Sequence, residues 1–225
     1  MSEVGCRKWV VSSSRASAGS AGELRAELAA MGYLLVDSEF AAADFFEGLG
    51  KVGRPTQLRS VDRDEAQSWS LSGRFGRAAF PWHTDGAISS DPPHWLLLRP
   101  LELSAATTTE LLDPSTTLCR RLERTVLLAK DHAGRARYLP ALVPTHDFHR
   151  IRWDPRSCRP DSPGLVSDLE GTAPTVIVGW QLGMTLVVDN FRLLHRRPAV
   201  NAATSTEGLA GVSRPPPRTS GQDTT

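Results

Sequence analysis

The chain is poor in cysteine and in long apolar runs, and each shortage excludes something. Three cysteines in 225 residues, Cys6, Cys119 and Cys158, stand far apart. They make neither a disulfide framework nor a zinc ribbon, so a reducing cytoplasm is the expected setting. No stretch approaches the ~18 apolar residues of a spanning helix, and Met1 to Cys6 has no charged-then-apolar layout of a signal segment. Arginine outnumbers lysine 23 to 3, yet acids balance them to a net charge of +1. That balance argues against a general nucleic-acid or anionic-membrane binder. The chain also has no Gly-Lys-Ser/Thr phosphate loop, no nucleophile elbow and no internal repeat.

The middle of the chain can build one core; its two ends cannot. Residues 12–22 are small and polar, so 1–22 is expected to be a flexible lead-in. From Asn201 onward the chain has no aromatic residue and carries Pro215-Pro216-Pro217. Nothing there suits a central strand, and 201–225 is expected to be a disordered, atypical tail. One domain is expected over 23–200. Glu23 to Met31 has helix formers with apolar spacing, and Gly32 is placed to end that helix in a left-handed cap. A second helix fits Ala41 to Leu49. A third is expected to start at Pro114-Ser115 and end near Leu128. Strands are expected at Tyr33–Val36, His94–Arg99 and Ala105–Leu112. Further short ones fit around Tyr138, Ile151–Trp153, Val176–Val178 and Met184–Val188. Early helices followed by irregularly spaced short strands point to a mainly β fold with flanking helices, a double-stranded β-helix or jelly roll.

The chemistry concentrates at Phe80-Pro81-Trp82-His83-Thr84-Asp85-Gly86. On an extended segment His83 and Asp85 point the same way, because side chains alternate with period two. A second histidine, His195, follows Val187-Val188-Asp189-Asn190-Phe191-Arg192-Leu193-Leu194. Two imidazoles and one carboxylate on one face of an ion is the ligand pattern of non-haem Fe(II) oxygenases. From the spacing alone, core histidines, a zinc-dependent hydrolase and an iron site all stay open. His146 and His149 are three apart among prolines and read as a surface loop. His94 and His132 read as structural. Ser70, Ser72, Gly73, Arg74 and Arg77 either line a substrate pocket or form a solvated loop. Arg192 and Arg197 either hold a substrate carboxylate or form ion pairs within the scaffold.

The order and combination of motifs narrow these options. Phe80 to Ala87, then Pro92-Pro93-His94-Trp95-Leu96-Leu97-Leu98-Arg99, then Thr107-Thr108-Thr109-Glu110-Leu111-Leu112-Asp113, resembles the taurine-dioxygenase and clavaminate-synthase-like family. Arg152-Trp153-Asp154-Pro155 fits, and Asp189-Asn190-Phe191-Arg192 leading to His195-Arg196-Arg197 is similar to the family's distal-histidine motif. The resemblance spans roughly Glu23 to Val200. It implies an Fe(II)/2-oxoglutarate-dependent oxygenase that uses O2 and releases succinate and CO2. It further implies iron ligation by His83, Asp85 and His195, and a contact from Thr109 to the 2-oxoglutarate carboxylate. An aspartate at position 85, where the superfamily's halogenases carry a small residue, favours hydroxylation of a small amino-acid-like or natural-product substrate.

One part of the family pattern is missing. The family places an arginine a dozen or more residues after the distal histidine, clamping the far carboxylate of 2-oxoglutarate through two parallel hydrogen bonds. Residues 201–209 contain none; Arg214 comes next, with Arg218 later still. Three options follow. Arg214 reaches in, Arg196 or Arg197 substitutes, or the clamp is absent and the chain is a non-catalytic or impaired jelly-roll metal-binding protein lacking a complete 2-oxoglutarate site. A reading frame shifted near residue 201 would produce such a tail.

Overall fold

The computed structural model describes residues 20–37, 43–50, 62–101, 108–144, 149–162, 164–200 and 212–213. In chain order the elements are α1 (Ala21–Met31), β1 (Tyr33–Asp37), α2 (Ala43–Leu49), α3 (Leu71–Phe75), β2 (Trp95–Leu98), β3 (Thr108–Leu112) and α4 (Thr116–Glu123). Then follow β4 (Val126–Lys130), β5 (Ala136–Pro140), β6 (Leu142–Pro144), β7 (His149–Ile151), β8 (Cys158–Pro160) and α5 (Leu165–Gly171). The last are β9 (Val176–Gly179), β10 (Met184–Asp189), β11 (Leu194–Arg196) and β12 (Val212–Ser213). The fold is mainly β with a few short helices. Among the described residues no helix is long and apolar enough to cross a membrane.

Two antiparallel sheets carry the architecture. One has the order β1-β10-β2-β12 and the other β11-β3-β9. Alternation along the strands of the first sheet divides its side chains between two cores. Leu35, Leu96, Leu98, Leu186 and Val188 join Leu111, Val176 and Val178 of the second sheet in a shared core between the two. On the other side of the first sheet, Leu34, Val36 and Val187 pack with Leu24 and Leu28 of α1 and with Phe45 and Leu49 of α2. The second sheet also has two faces. Leu112 and Leu194 turn outward into a third core with Trp82, Trp153 and the apolar faces of α4 and α5.

Local chemistry sets the helix ends. Ser20 and Glu23 form a reciprocal capping box that starts α1 at Ala21, inside the stretch expected as lead-in. Gly32 ends the helix at φ 75°, where a Cβ would meet Arg192 and Leu193 at 3.2 Å. α4 corrects an expectation, since it stops at Glu123 rather than near Leu128. The Thr125 hydroxyl donates to the Arg121 carbonyl at 2.8 Å, and Val126 to Lys130 leave as a strand paired with both β5 and β8. Tertiary pairing there overrides the helix formers Leu127 and Leu128. Of the C-terminal stretch only Val212 and Ser213 are described, antiparallel to Leu96 and Trp95 at the sheet edge. Arg214, Arg218 and His146 lie outside the described residues.

Candidate metal centre

His83 and His195 come together through their backbones before their side chains. They form an antiparallel bridge, His83 N–H to His195 C=O at 3.1 Å and His195 N–H to His83 C=O at 3.0 Å. The ring centroids are 4.2 Å apart. Asp85 follows at the start of a turn rather than on a continuing strand. Its Oδ1 lies 3.8 Å from His83 Nε2 and 3.9 Å from His195 Nε2. Those gaps are too long for hydrogen bonds. One ligand atom from each of the three residues lies within 4.8 Å of the others. Both histidines are buried, whereas the Asp85 side chain is 40% exposed, so the cluster opens on its carboxylate side.

The donor set suits a divalent metal. His83 Nδ1–H donates to the Pro81 carbonyl at 3.0 Å, which leaves the Nε2 lone pair toward Asp85. His195 Nδ1 is buried with no hydrogen-bond partner; its ring is held by packing instead. Burial pushes the His195 imidazole well below its ordinary value, and the neighbouring His83 ring adds to that shift. Neutral imidazole is the ligating form. Because the folded value is depressed, the stabilisation is complete above the unfolded value of about 6.5 and is lost as the pH falls below it. Thermal melts of metal-free protein from about pH 8 to pH 5 are expected to show that loss, with a flatter profile for His195→Gln.

The loop bearing His83 and Asp85 is gripped from two sides. Between the ligands, Thr84 faces the other way: its N–H donates to the Trp153 carbonyl at 2.7 Å, and its hydroxyl accepts the Trp153 N–H at 3.1 Å. Arg152 Nη1 donates to the Ala87 and Ser89 carbonyls at 2.9 and 3.0 Å. On the opposite side the buried Asn190 accepts the Asp85 N–H at 2.8 Å and donates to the Asp85 and Pro93 carbonyls at 2.9 and 2.8 Å. Gly86 makes the turn at φ 69°, where a Cβ would meet Pro92 at 3.1 Å.

Each residue of the distal motif therefore has a task. Asp189 Oδ1 accepts the N–H groups of Phe191 and Arg192. Arg192 pairs with Asp113 at 2.5 Å and donates to the Ala29 and Ala30 carbonyls at the end of α1. It belongs to the scaffold. Arg196 alternates with His195 and so faces away from it, pairing with Glu110 at 2.6 Å. Arg197 lies over the Phe80 ring and donates to the Gly76 and Ala78 carbonyls. Neither arginine points to a free carboxylate clamp at the metal cluster. Ser70 caps α3, and Arg77 pairs with Asp62 at 3.0 Å. His94 is stacked between Trp95 and Phe191.

Thr109 lies on β3 two residues before Leu111, the partner of His195. Period two puts Thr109 and His195 on the same face of the sheet. Thr109 is buried, and its hydroxyl accepts the Trp180 indole N–H at 3.0 Å. In the sequence Asn190 and Arg152 stand out only as parts of longer motifs, and no local pattern marks Trp180.

No family model matches the chain, and no curated relative does. Solved structures do. An asparagine oxygenase in complex with Fe(II), 2S,3S-3-hydroxyasparagine and succinate superposes with a TM-score of 0.63 at 15% identity, covering 87% of this chain and 80% of that one. A taurine dioxygenase from Burkholderia xenovorans gives 0.58 at 15% identity, with 87% and 81% covered. PvcB, an Fe, alpha-ketoglutarate dependent oxygenase from an isonitrile synthetic pathway, gives 0.58 at 16% identity, with 86% and 79% covered. The chain has the fold of these oxygenases, in agreement with the resemblance carried by its motifs.

Proposed function

We propose that the chain is an Fe(II)- and 2-oxoglutarate-dependent oxygenase of the jelly-roll type that hydroxylates a small amino-acid-like or natural-product substrate. The observation that carries the reading is the cluster itself. Two buried imidazoles turn their Nε2 atoms toward one carboxylate oxygen, on the fold of enzymes solved with Fe(II) and with succinate. In this reading His83, Asp85 and His195 hold iron, and the open side beside Asp85 receives 2-oxoglutarate, O2 and substrate. Iron so bound supplies the oxidative decarboxylation of 2-oxoglutarate to succinate and CO2 that is coupled to substrate oxidation. The chain's own residues bind, orient and exclude water.

Thr109 is assigned to the 2-oxoglutarate carboxylate. Its oxygen already accepts from Trp180, so the hydroxyl hydrogen is available to donate. Arg214 is assigned to the far carboxylate. It directly follows β12, the strand added to β2, and the engagement of Arg196 and Arg197 elsewhere leaves it ahead of them as the clamp. The oxygenase domain is assigned to 23–200, extended at its start by the first residues of α1 and their cap Ser20, with the residues before Ser20 as a lead-in and 201–225 as a tail that contributes Arg214. Cys119 and Cys158, both free, fit a cytoplasmic setting.

Anaerobic addition of Fe(II) and 2-oxoglutarate is expected to give a weak visible charge-transfer band. Arg214→Ala is expected to raise the 2-oxoglutarate concentration needed for half the band by about 10- to 100-fold, as losing a charge-assisted pair does. Thr109→Val is expected to raise it by about tenfold or less. No band in the wild type, with iron still bound, would favour the non-catalytic metal-binding protein. Succinate release across a panel of amino acids identifies the substrate.

A further inference from the structure

The ladder that joins the two histidine segments contains an irregular step. Val200 donates to the Arg77 carbonyl and Phe80 donates to the Arg197 carbonyl, both at 2.8 Å. His83 and His195 then exchange both bonds. Between the last two rungs lie two residues on one side, Pro81 and Trp82, and only Arg196 on the other. An extra residue of this kind bends its strand and re-aims the side chains beside it.

The step leaves loose ends, and each is accounted for. Proline at 81 has no N–H to satisfy, and its carbonyl is the acceptor that holds His83 Nδ1. The Trp82 N–H, off the ladder, donates to Glu170 Oε1 at 3.1 Å, reaching across 88 residues to α5. The residue opposite, Arg196, has its guanidinium carbon over the Trp82 ring, 4.1 Å from the centroid, and places Nη1 3.8 Å from Glu170 Oε2. Its Nε is fixed by Glu110 on β3 at 2.6 Å. The backbone and ring of Trp82 are therefore held from the side facing away from the metal cluster, one residue before the first ligand.

We propose that Glu170 is a positioning residue for the metal centre: by accepting the Trp82 N–H, and with Arg196 stacked on the same indole, it locks the irregular step that aims His83 toward Asp85 and His195. This rests on the reading of the three residues as a metal site. Pro81 orients the His83 ring, but its carbonyl stays in place only while the step is held. Partners one shell behind a ligand commonly change metal affinity by about 10- to 100-fold.

Two variants separate positioning from bulk stability. Glu170→Ala removes the acceptor; Glu170→Gln keeps an oxygen for the Trp82 N–H and removes the charge. In metal-free protein, amide hydrogen exchange at Trp82, His83 and His195 is expected to speed up about tenfold in Glu170→Ala, to return near wild type in Glu170→Gln, and to stay unchanged in β1 and β10. Mn(II) affinity, followed by electron paramagnetic resonance, is expected to fall about 10- to 100-fold in Glu170→Ala and to recover in Glu170→Gln. Unchanged exchange at those three amides overturns the lock. Equal Mn(II) affinity in all three proteins overturns its bearing on the metal. A wild type that fails to bind Mn(II) overturns the metal reading and, with it, the positioning role, while the exchange result still decides whether the lock exists.

Discussion

His83→Ala is expected to lower Fe(II) or Mn(II) affinity by on the order of a thousandfold, about 4 kcal/mol, and to reduce succinate release to background, while the metal-free protein still folds with a smaller loss of stability. The first part follows from the ligand count: among the described residues three donors converge, and Asp85 and His195 alone leave a weak two-point site. The second part follows from where the structural bonds of His83 lie. Its exchange of backbone bonds with His195 does not involve the side chain. The imidazole contributes one hydrogen bond to Pro81 and contact with the Phe80 and His195 rings. Losing that packing costs about 1–3 kcal/mol. Isothermal titration with Mn(II), run beside a urea melt of metal-free protein, separates the two effects. A variant that binds metal as the wild type does would end the assignment of His83. Asp85→Ala is expected to lose metal comparably with a smaller stability change, because its side chain is far more exposed.

The sequence was legible where a residue's task is local. His83 and Asp85 could be read because two positions apart is enough to place two side chains together. Gly32 could be read because a helix end needs a left-handed residue there. The distal motif could be recognised as a string, although its parts act in different ways. Asp189 caps its own turn, whereas Arg192 reaches 79 positions back to Asp113. Nothing in the string says which arginine serves the scaffold and which a substrate. The limits of β11 could not be read because three residues carry no measurable alternation, and its pairing with Leu112, Leu111 and Glu110 is entirely nonlocal. The helix expected to run to Leu128 failed for a related reason: Leu127 and Leu128 are good helix formers, but β5 and β8 pair with them. Thr109 stands among three consecutive threonines, and within the strand its register with Val178 puts it on the opposite face from Thr108.

Asn190→Leu is expected to destabilise the metal-free protein by about 3–5 kcal/mol, a large fraction of the 5–15 kcal/mol that holds a typical domain together. Asn190 is 1% exposed, and its amide meets three backbone groups: the Asp85 N–H, the Asp85 carbonyl and the Pro93 carbonyl. Leucine has the same branching and the same number of side-chain heavy atoms, so no cavity opens. The loss comes instead from three part-buried backbone groups left without their side-chain partner, at up to about 1–3 kcal/mol each before relaxation. Asn190→Asp tests the same idea from the other direction. The carboxylate can still accept from the Asp85 N–H, but it has no hydrogens for the two carbonyls and sets negative charge against them. It is therefore expected to be no better than leucine, despite being the closer analogue in shape. Urea midpoints for the two variants, compared with the wild type at constant slope, measure this directly. If Asn190→Asp proved as stable as the wild type, the two donated bonds would not be what holds Asp85. If both variants fall as expected, metal affinity should fall with them even where the protein remains folded, because the same amide that satisfies the backbone fixes where the Asp85 carboxylate stands relative to His83 and His195.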